Sequence, residues 1–261
     1  MIAGRLKRFP RLRRAVRVSR ERYWDVRGSS LNESHVRKAL RAHGRAPKSV
    51  LVVGCNDGTE CAMFRRLGAE RVHGVDPIDE IGSKHLDPAI TYIRGTAEQL
   101  LLPDGMFDLV FSFATLEHVH GLEEAYGEMA RVLASGGTLY TLAAPLWYSP
   151  YGNHCEHLFR DEPWIHLRMT RDEIVATASQ RGLTGEAQEA FVGQVDYMLD
   201  PRFFNRRHAR DYLAASSALG LSVELQEVRM EPRALLRPDF QIDEPPEELL
   251  AATHRFVAHK E

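Results

Sequence analysis

The sequence is poor in cysteine, has no long apolar run and shows no internal repeat, and each absence excludes a class of protein. Its three cysteines, Cys55, Cys61 and Cys155, form no CxxC pair and cannot all pair with one another. Neither a disulfide framework nor a cysteine zinc site is therefore indicated, and a reducing cytosol is the simplest compartment. No apolar run approaches the roughly 18–20 residues that a membrane span needs. Low-complexity tracts are also missing, so the chain does not read as disordered or collagenous.

What is present is ordinary globular composition, 44% apolar and 27% charged over 261 residues. That length suffices for one sizeable core plus an elaboration, so one domain with a cap is expected. The net charge of −2 hides an asymmetry. Between Met1 and Trp24 stand nine Lys or Arg residues against one acid, Glu21. We read residues 1–30 as a basic arm able to meet phosphates or an anionic membrane surface, with a solvated tail or a first helix packed on the acidic body as the plain alternative. No apolar segment follows these charges, so the arm is not a secretory signal. The expected location is cytoplasmic, peripheral to a membrane if the arm binds one.

Along residues 31–261 apolar runs alternate with helical segments. Glu33 to His43 has helical spacing, and Ser49 to Val53 (SVLVV) is a short run suited to a strand buried on both faces. A helix over Thr59 to Leu67 follows, then strands at Arg71–Val75, Ile90–Ile93 and Phe107–Phe113. The crossover helix Leu122–Leu133 leads through a Gly136-Gly137 turn to a strand at Thr138–Ala143. After residue 205 come a helix over Arg207–Leu219, a strand over Leu221–Val228, a short helix near Pro246–Ala252 and a last strand over Arg255–His259. This order predicts an α/β fold, a doubly wound and mostly parallel seven-stranded sheet. Residues 146–205 break the rhythm and read as an inserted aromatic- and histidine-rich cap, with a helical patch at Thr170–Arg181 opened by a Thr170/Glu173 capping box.

Three short motifs carry chemistry. The stretch VLVVGCNDGTE turns from a buried strand into a helix N-terminus, where backbone N–H groups are unpaired and small residues let a ligand approach. Gly54 and Gly58 suit that role, and Asn56 tolerates left-handed geometry. A tight turn with no ligand reads the same way. Asp76, about twenty residues on, ends the second strand, where a carboxylate can accept both hydroxyls of a ribose or simply cap a helix. Glu98, in Gly95-Thr96-Ala97-Glu98, can accept an adenine amine or only begin a helix.

Taken with Leu116-Glu117-His118-Val119 after the fourth strand, this order resembles class I S-adenosylmethionine-dependent methyltransferases over roughly residues 48–145. The resemblance implies S-adenosylmethionine as cofactor. It implies that the turn Gly54, Cys55, Asn56, Asp57 and Gly58 wraps the methionine part, and that Asp76, with Pro77 beside it, holds the ribose. Ala97 and Glu98 would meet the adenine, and Ser112 and Phe113 would line the methionine side. The sequence departs from the family at Val52, where an acid is usual, and at Asn56, where glycine is usual.

Because a sulfonium makes its methyl electrophilic, such a protein mainly aligns a nucleophile and handles its proton. His118 is the expected general base by family analogy, and a helix cap or a loop hydrogen bond is its plain alternative. In the cap, Trp147, Tyr148, Tyr151, His154, His157, Trp164 and His166 are expected to form a substrate pocket, unless they are simply the core of the cap. No metal is expected there, since His154, His157 and His166 with Cys155 and Glu156 lack a known ligand spacing.

The reading is an enzyme methylating oxygen or nitrogen of a small molecule, sugar or glycolipid. Two other readings use the same residues: a fold that has lost catalysis and serves as a partner domain, suggested by Val52 and Asn56, and a nucleic-acid methyltransferase using the arm. Against the last, Ser112-Phe113-Ala114-Thr115 stands where an NPPY-type motif would be, and no RNA-binding module is recognisable. A nicotinamide-dependent oxidoreductase is disfavoured because GxGxxG is absent.

Overall fold

The five residues of SVLVV are all buried, as a central strand with helices on both faces requires. In the computed structural model, which describes residues 16–19, 31–236 and 240–261, they form β2 (Ser49–Val53). Val50 and Val52 enter one core with Val36 and Ala39 of α1 (Leu31–His43) and Cys61 and Phe64 of α2 (Thr59–Arg66). Leu51 and Val53 enter the opposite core with Tyr126 and Met129 of α3 (Leu122–Val132) and Tyr212 of α8 (Ala209–Ser217). The alternation follows directly from the two-residue period of a strand.

The remaining strands are β1 (Val16–Ser19), β3 (Arg71–Asp76), β4 (Ile90–Arg94), β5 (Phe107–Phe113), β6 (Leu133–Ala143), β7 (Ser222–Met230) and β8 (Ala251–His259). They lie in the order β1-β7-β8-β6-β5-β2-β3-β4, parallel except for β8, which runs antiparallel to β6 and β7. The seven expected strands are all present, and β1 adds an eighth by pairing with β7. β1 comes from the basic arm; the rest of that arm, with its expected phosphate or membrane contacts, lies outside the described residues. Among the described residues no helix is long and apolar enough to cross a membrane.

From β2 the chain steps outward to β3 and β4, then returns to place β5 on the other side of β2. The strand order therefore reverses between β2 and β5, which opens a crevice beyond their carboxyl ends. Gly54 to Gly58 and Phe113 to Thr115 lie at that crevice.

Two local differences from the sequence reading have clear causes. Gly136 and Gly137 do not precede β6 but lie within it, where the pairing with β5 shifts between Phe107 and Leu109. Gly136 accepts a positive φ of 71° at this irregularity, and its N–H donates to the Lys260 carbonyl. The cap also holds a long helix that was not anticipated, α7 (Gly185–Leu199). It buries Phe191, Val195 and Met198, spaced as one helical face.

α7 packs on α6 (Arg171–Gln180), which begins with the expected Thr170/Glu173 capping box. With the short α4 (Glu156–Phe159) and α5 (Ile165–Arg168), they enclose a core of their own that contains Trp147, Phe159, Ile174 and Phe204. The short α9 (Pro246–Leu249) supports the other end: buried Glu248 accepts the Ala209 N–H at 2.7 Å, at the start of α8.

Candidate active site

The turn after β2 is held by backbone bonds and by crowding. The amides of Gly54 and Cys55 both donate to the Val75 carbonyl, at 2.8 and 3.2 Å, which ties the turn to the end of β3. Gly54 has a φ of 75°, and a Cβ there would come 2.1 Å from Thr115 Oγ1. Asn56 adopts φ 44°, so asparagine supplies the left-handed residue for which the family uses glycine. Cys55 turns its thiol into the core against Gly74, leaving only its backbone to serve a ligand. Asp57 Oδ1 accepts from the Thr59 hydroxyl at 2.6 Å and from its N–H at 3.1 Å, and Oδ2 pairs with Lys84 at 2.9 Å. The Thr59 hydroxyl bond is the main cause that holds this carboxyl below its ordinary range. Asp57 is thus a fixture of the α2 N-terminus.

Asp76, at the end of β3, is nearly buried. Its Oδ2 accepts the Asn56 N–H at 2.9 Å and its Oδ1 the Ile78 N–H at 3.2 Å. Each oxygen retains a further lone pair for a hydroxyl donor. Pro77 is exposed, and its carbonyl accepts from Arg94 at 3.1 Å. Beyond β4, a Cβ at Gly95 would meet only Val75 Cγ1, at 3.7 Å, so the main chain here borders open space. Ala97 is buried. Half-buried Glu98 accepts the Gly121 N–H at 3.4 Å. Ser112, at the end of β5, is fully buried and its hydroxyl has no partner, while Phe113 packs against His35 at 5.1 Å between ring centres.

The Leu116–His118 segment forms one turn of 3-10 helix, clamped from the cap side. Asn205 Nδ2 donates to the carbonyls of Leu116 and Val119 at 2.7 and 2.8 Å, and the Asn205 N–H donates to the Glu117 carbonyl at 3.0 Å. His118 Nδ1 donates to the Phe203 carbonyl at 2.7 Å, which fixes the tautomer and leaves the Nε2 lone pair bare. Burial lowers the His118 pKa, opposed by the Phe203 carbonyl and by the charge of Asp76, so the imidazole is neutral near pH 7.

Beside it, the Glu117 carboxylate is almost fully buried with no hydrogen-bond partner of normal geometry. Burial pushes its pKa up to about 8, and the nearby amides of Glu117 and Ala144 offset only part of that cost. His154 sits in left-handed geometry, φ 57°, with a buried, unpartnered Nε2. Burial, with help from His118 and His166, pushes it down to about 3. Ligating atoms of Glu117, His118 and His154 all lie within 4.8 Å of one another.

Phe204 forms the wall between these groups and the cap, with its ring centre 4.5 Å from His118, 5.1 Å from His154 and 5.4 Å from Trp147. Exposed Tyr197 and Phe203 stack on each other at 4.3 Å beside it.

Of the residues expected to line a substrate pocket, only His154 stands directly against this group, with buried Trp147 behind Phe204. His166 is buried and donates from Nε2 to the Trp147 carbonyl at 2.6 Å, a structural bond. Trp164 is wholly buried in another cluster, and its indole N–H is shared between the Tyr148 and Leu249 carbonyls. It anchors the cap to the α9 end of the fold and is no pocket wall. Tyr148 stacks on His208 at 4.1 Å, Tyr151 donates to the Arg160 carbonyl at 3.0 Å, and His157 is exposed. The sequence reading had missed Glu117, Tyr197, Phe204 and Asn205. The pair Glu117-His118 inside an apolar stretch was the available signal.

Residues 51–141, which span β2 to β6 and hold this crevice, match the family model of a methyltransferase domain. Over this span the chain resembles S-adenosylmethionine-dependent methyltransferases. The chain is 30% identical over 107 residues to ajmaline N-methyltransferase of Rauvolfia serpentina, covering 38% of this chain and 37% of that enzyme. It is 33% identical over 116 residues to a ubiquinone biosynthesis O-methyltransferase of Rhizobium rhizogenes, covering 39% and 46%. The matched part of the chain thus spans less than half the length of these curated relatives. An S-adenosylmethionine-dependent methyltransferase from Mesorhizobium loti shares the fold, with a TM-score of 0.54 at 19% identity over 85% of this chain and 96% of that one.

Proposed function

We propose that this chain transfers a methyl group from S-adenosylmethionine to an oxygen or nitrogen of a small organic acceptor, a class that includes sugars and glycolipids. The observation that carries the reading is Asp76. It is nearly buried at the carboxyl edge, oriented by two backbone amides, and still has lone pairs for ribose hydroxyls.

The surrounding groups fit the cofactor. The main chain of Gly54 to Gly58 would face its methionine part, with Ser112 and Phe113 lining that side. Ala97 and Glu98, next to the open face of Gly95, would meet the adenine. The Ser112 hydroxyl, buried and without a partner, supplies a polar group that a ligand can satisfy. When bound, the cofactor supplies a methyl made electrophilic by its sulfonium. The protein's own work is then to orient the acceptor and manage its proton. His118 is the residue we assign to that task, because its Nδ1 bond presents a bare Nε2 and Asp76 is near enough to influence its charge. Tyr197, Phe203 and Phe204 offer an aromatic mouth that suits an acceptor with an apolar body.

Calorimetric titration with S-adenosylmethionine and S-adenosylhomocysteine tests the reading. Wild type is expected to bind both in the micromolar range, and Asp76→Ala to lose about 100-fold or more, as expected for removing charged hydrogen bonds worth about 1.5–3 kcal/mol each. No binding by wild type would overturn it.

A further inference from the structure

We propose that Glu117, His118 and His154 form a site for one borderline divalent cation, of the zinc kind, whose open coordination position takes an oxygen of the acceptor. A carboxylate and two imidazoles are a donor set suited to such ions, and three protein ligands with a vacant position are the pattern of catalytic zinc sites.

Four observations converge on these three residues. Their ligating atoms lie within 4.8 Å of one another. Ligands about 2.1 Å from a shared ion stand about 3.4 Å apart in a tetrahedron, so the set needs to draw in by roughly an ångström. The Glu117 carboxyl group is 1% exposed and unpartnered, and a cation would stabilise its charged form and give it the partner it lacks. His154 Nε2 is likewise buried and unpartnered, in a residue held at a φ of 57°. The His118 Nδ1 bond to the Phe203 carbonyl is the kind of outer contact that orients a metal-binding imidazole and frees its Nε2.

Acceptor binding at the ion presupposes the methyl transfer proposed above; cation binding does not. A hydroxyl on the ion loses its proton to bulk water more readily, and the O–H electron pair stays on the coordinated oxygen as the nucleophile. In this arrangement the His118 Nε2 lone pair is a ligand, so the proton task assigned to it above passes to the ion and bulk water. The geometry therefore favours oxygen over nitrogen as the methylated atom.

The test uses the full chain, stripped with a chelator and titrated with Zn2+ against a competing dye. Co2+ absorption of wild type is recorded in parallel, with acetohydroxamate as an oxygen-donor probe of the open position. One Zn2+ per chain is expected, with affinity reduced about 100-fold in both Glu117→Gln and His154→Gln. Imidazole-type Co2+ bands that shift on adding acetohydroxamate are also expected.

No stoichiometric Zn2+ uptake by wild type, or uptake unchanged in a folded variant, would overturn the site. Co2+ bands that ignore acetohydroxamate would overturn the open position. If one variant does not fold, the other and the wild-type spectrum still decide. S-adenosylhomocysteine calorimetry on the same samples separates the two readings. Zn2+ binding without S-adenosylhomocysteine binding sinks methyl transfer alone, and the reverse sinks the cation alone.

Discussion

The turns at the ends of β2 and β3 and the group under the cap meet at one crevice but are built on opposite principles. At the turns, polar groups hold one another in place: Asp76 is oriented by the amides of Asn56 and Ile78 and keeps a lone pair on each oxygen, and Asp57 is held by Thr59 and Lys84. Under the cap, Glu117 and His154 Nε2 are buried with nothing to bond. A satisfied network holds a fixed shape for a ligand that many proteins share, whereas unsatisfied buried groups cost stability and persist where a ligand completes them. On the proposed reading the first region, with the unpartnered Ser112 hydroxyl beside it, would meet the cofactor and the second the acceptor.

Removing the Phe204 wall between the second group and the cap core should give the largest effect of any single substitution. Phe204→Ala leaves a cavity beside His118, His154 and Trp147 and is expected to destabilise the fold by about 3–5 kcal/mol. Affinity for S-adenosylhomocysteine should stay within about threefold, since the cofactor side shares few contacts with this ring. Denaturant melts and calorimetry on the same variant check both. A collapse of cofactor affinity in protein that remains folded would break the division between the two regions.

A second prediction uses histidines that belong to neither region. Burial pushes His254, in β8, and His35, in α1, down to about 3. Above pH 6.5 each is neutral folded and unfolded, so nothing is lost. Below it the unfolded chain takes up a proton that the fold refuses until about pH 3, and stability falls by about 1.4 kcal/mol per pH unit for each. Urea melts from about pH 7 down to about pH 4 should show this slope, reduced in a His254→Gln variant that folds. Flat stability over that range would contradict it.

The smallest effect is expected at the clamp. Asn205→Ala frees the carbonyls of Leu116 and Val119, removes the acceptor of the Arg207 N–H and the Tyr212 hydroxyl, and should cost about 2 kcal/mol. Methyl transfer should fall through the rate more than through cofactor binding, because the turn that carries Glu117 and His118 loosens. An equal loss in cofactor affinity would show that the clamp serves both sides.

The same contrast explains what could be read from the sequence. The strands, the Gly54–Gly58 turn and Asp76 were legible because their signals are local: a buried run, a turn residue, an acid at a strand end. Glu117 was quoted within its motif, yet its significance depends on Ala144, His154 and Asn205, which only the tertiary fold brings near. Trp164 and His166 showed the converse. An aromatic- or histidine-rich segment reveals composition but not which rings face a pocket, and these two are held by carbonyls inside the cap. Helix α7 did carry a signal, in the spacing of Phe191, Val195 and Met198, although Gly185 and Gly193 weaken it. The eighth strand, β1, lay within a segment whose charge dominated its reading.

Hydrogen–deuterium exchange of the full chain with and without S-adenosylhomocysteine tests the location of the cofactor site most directly. Slower exchange is predicted at residues 54–58, 76–78, 95–98 and 112–115, with little change in α6 and α7. Binding that leaves those four segments unchanged and protects the cap instead would contradict the account.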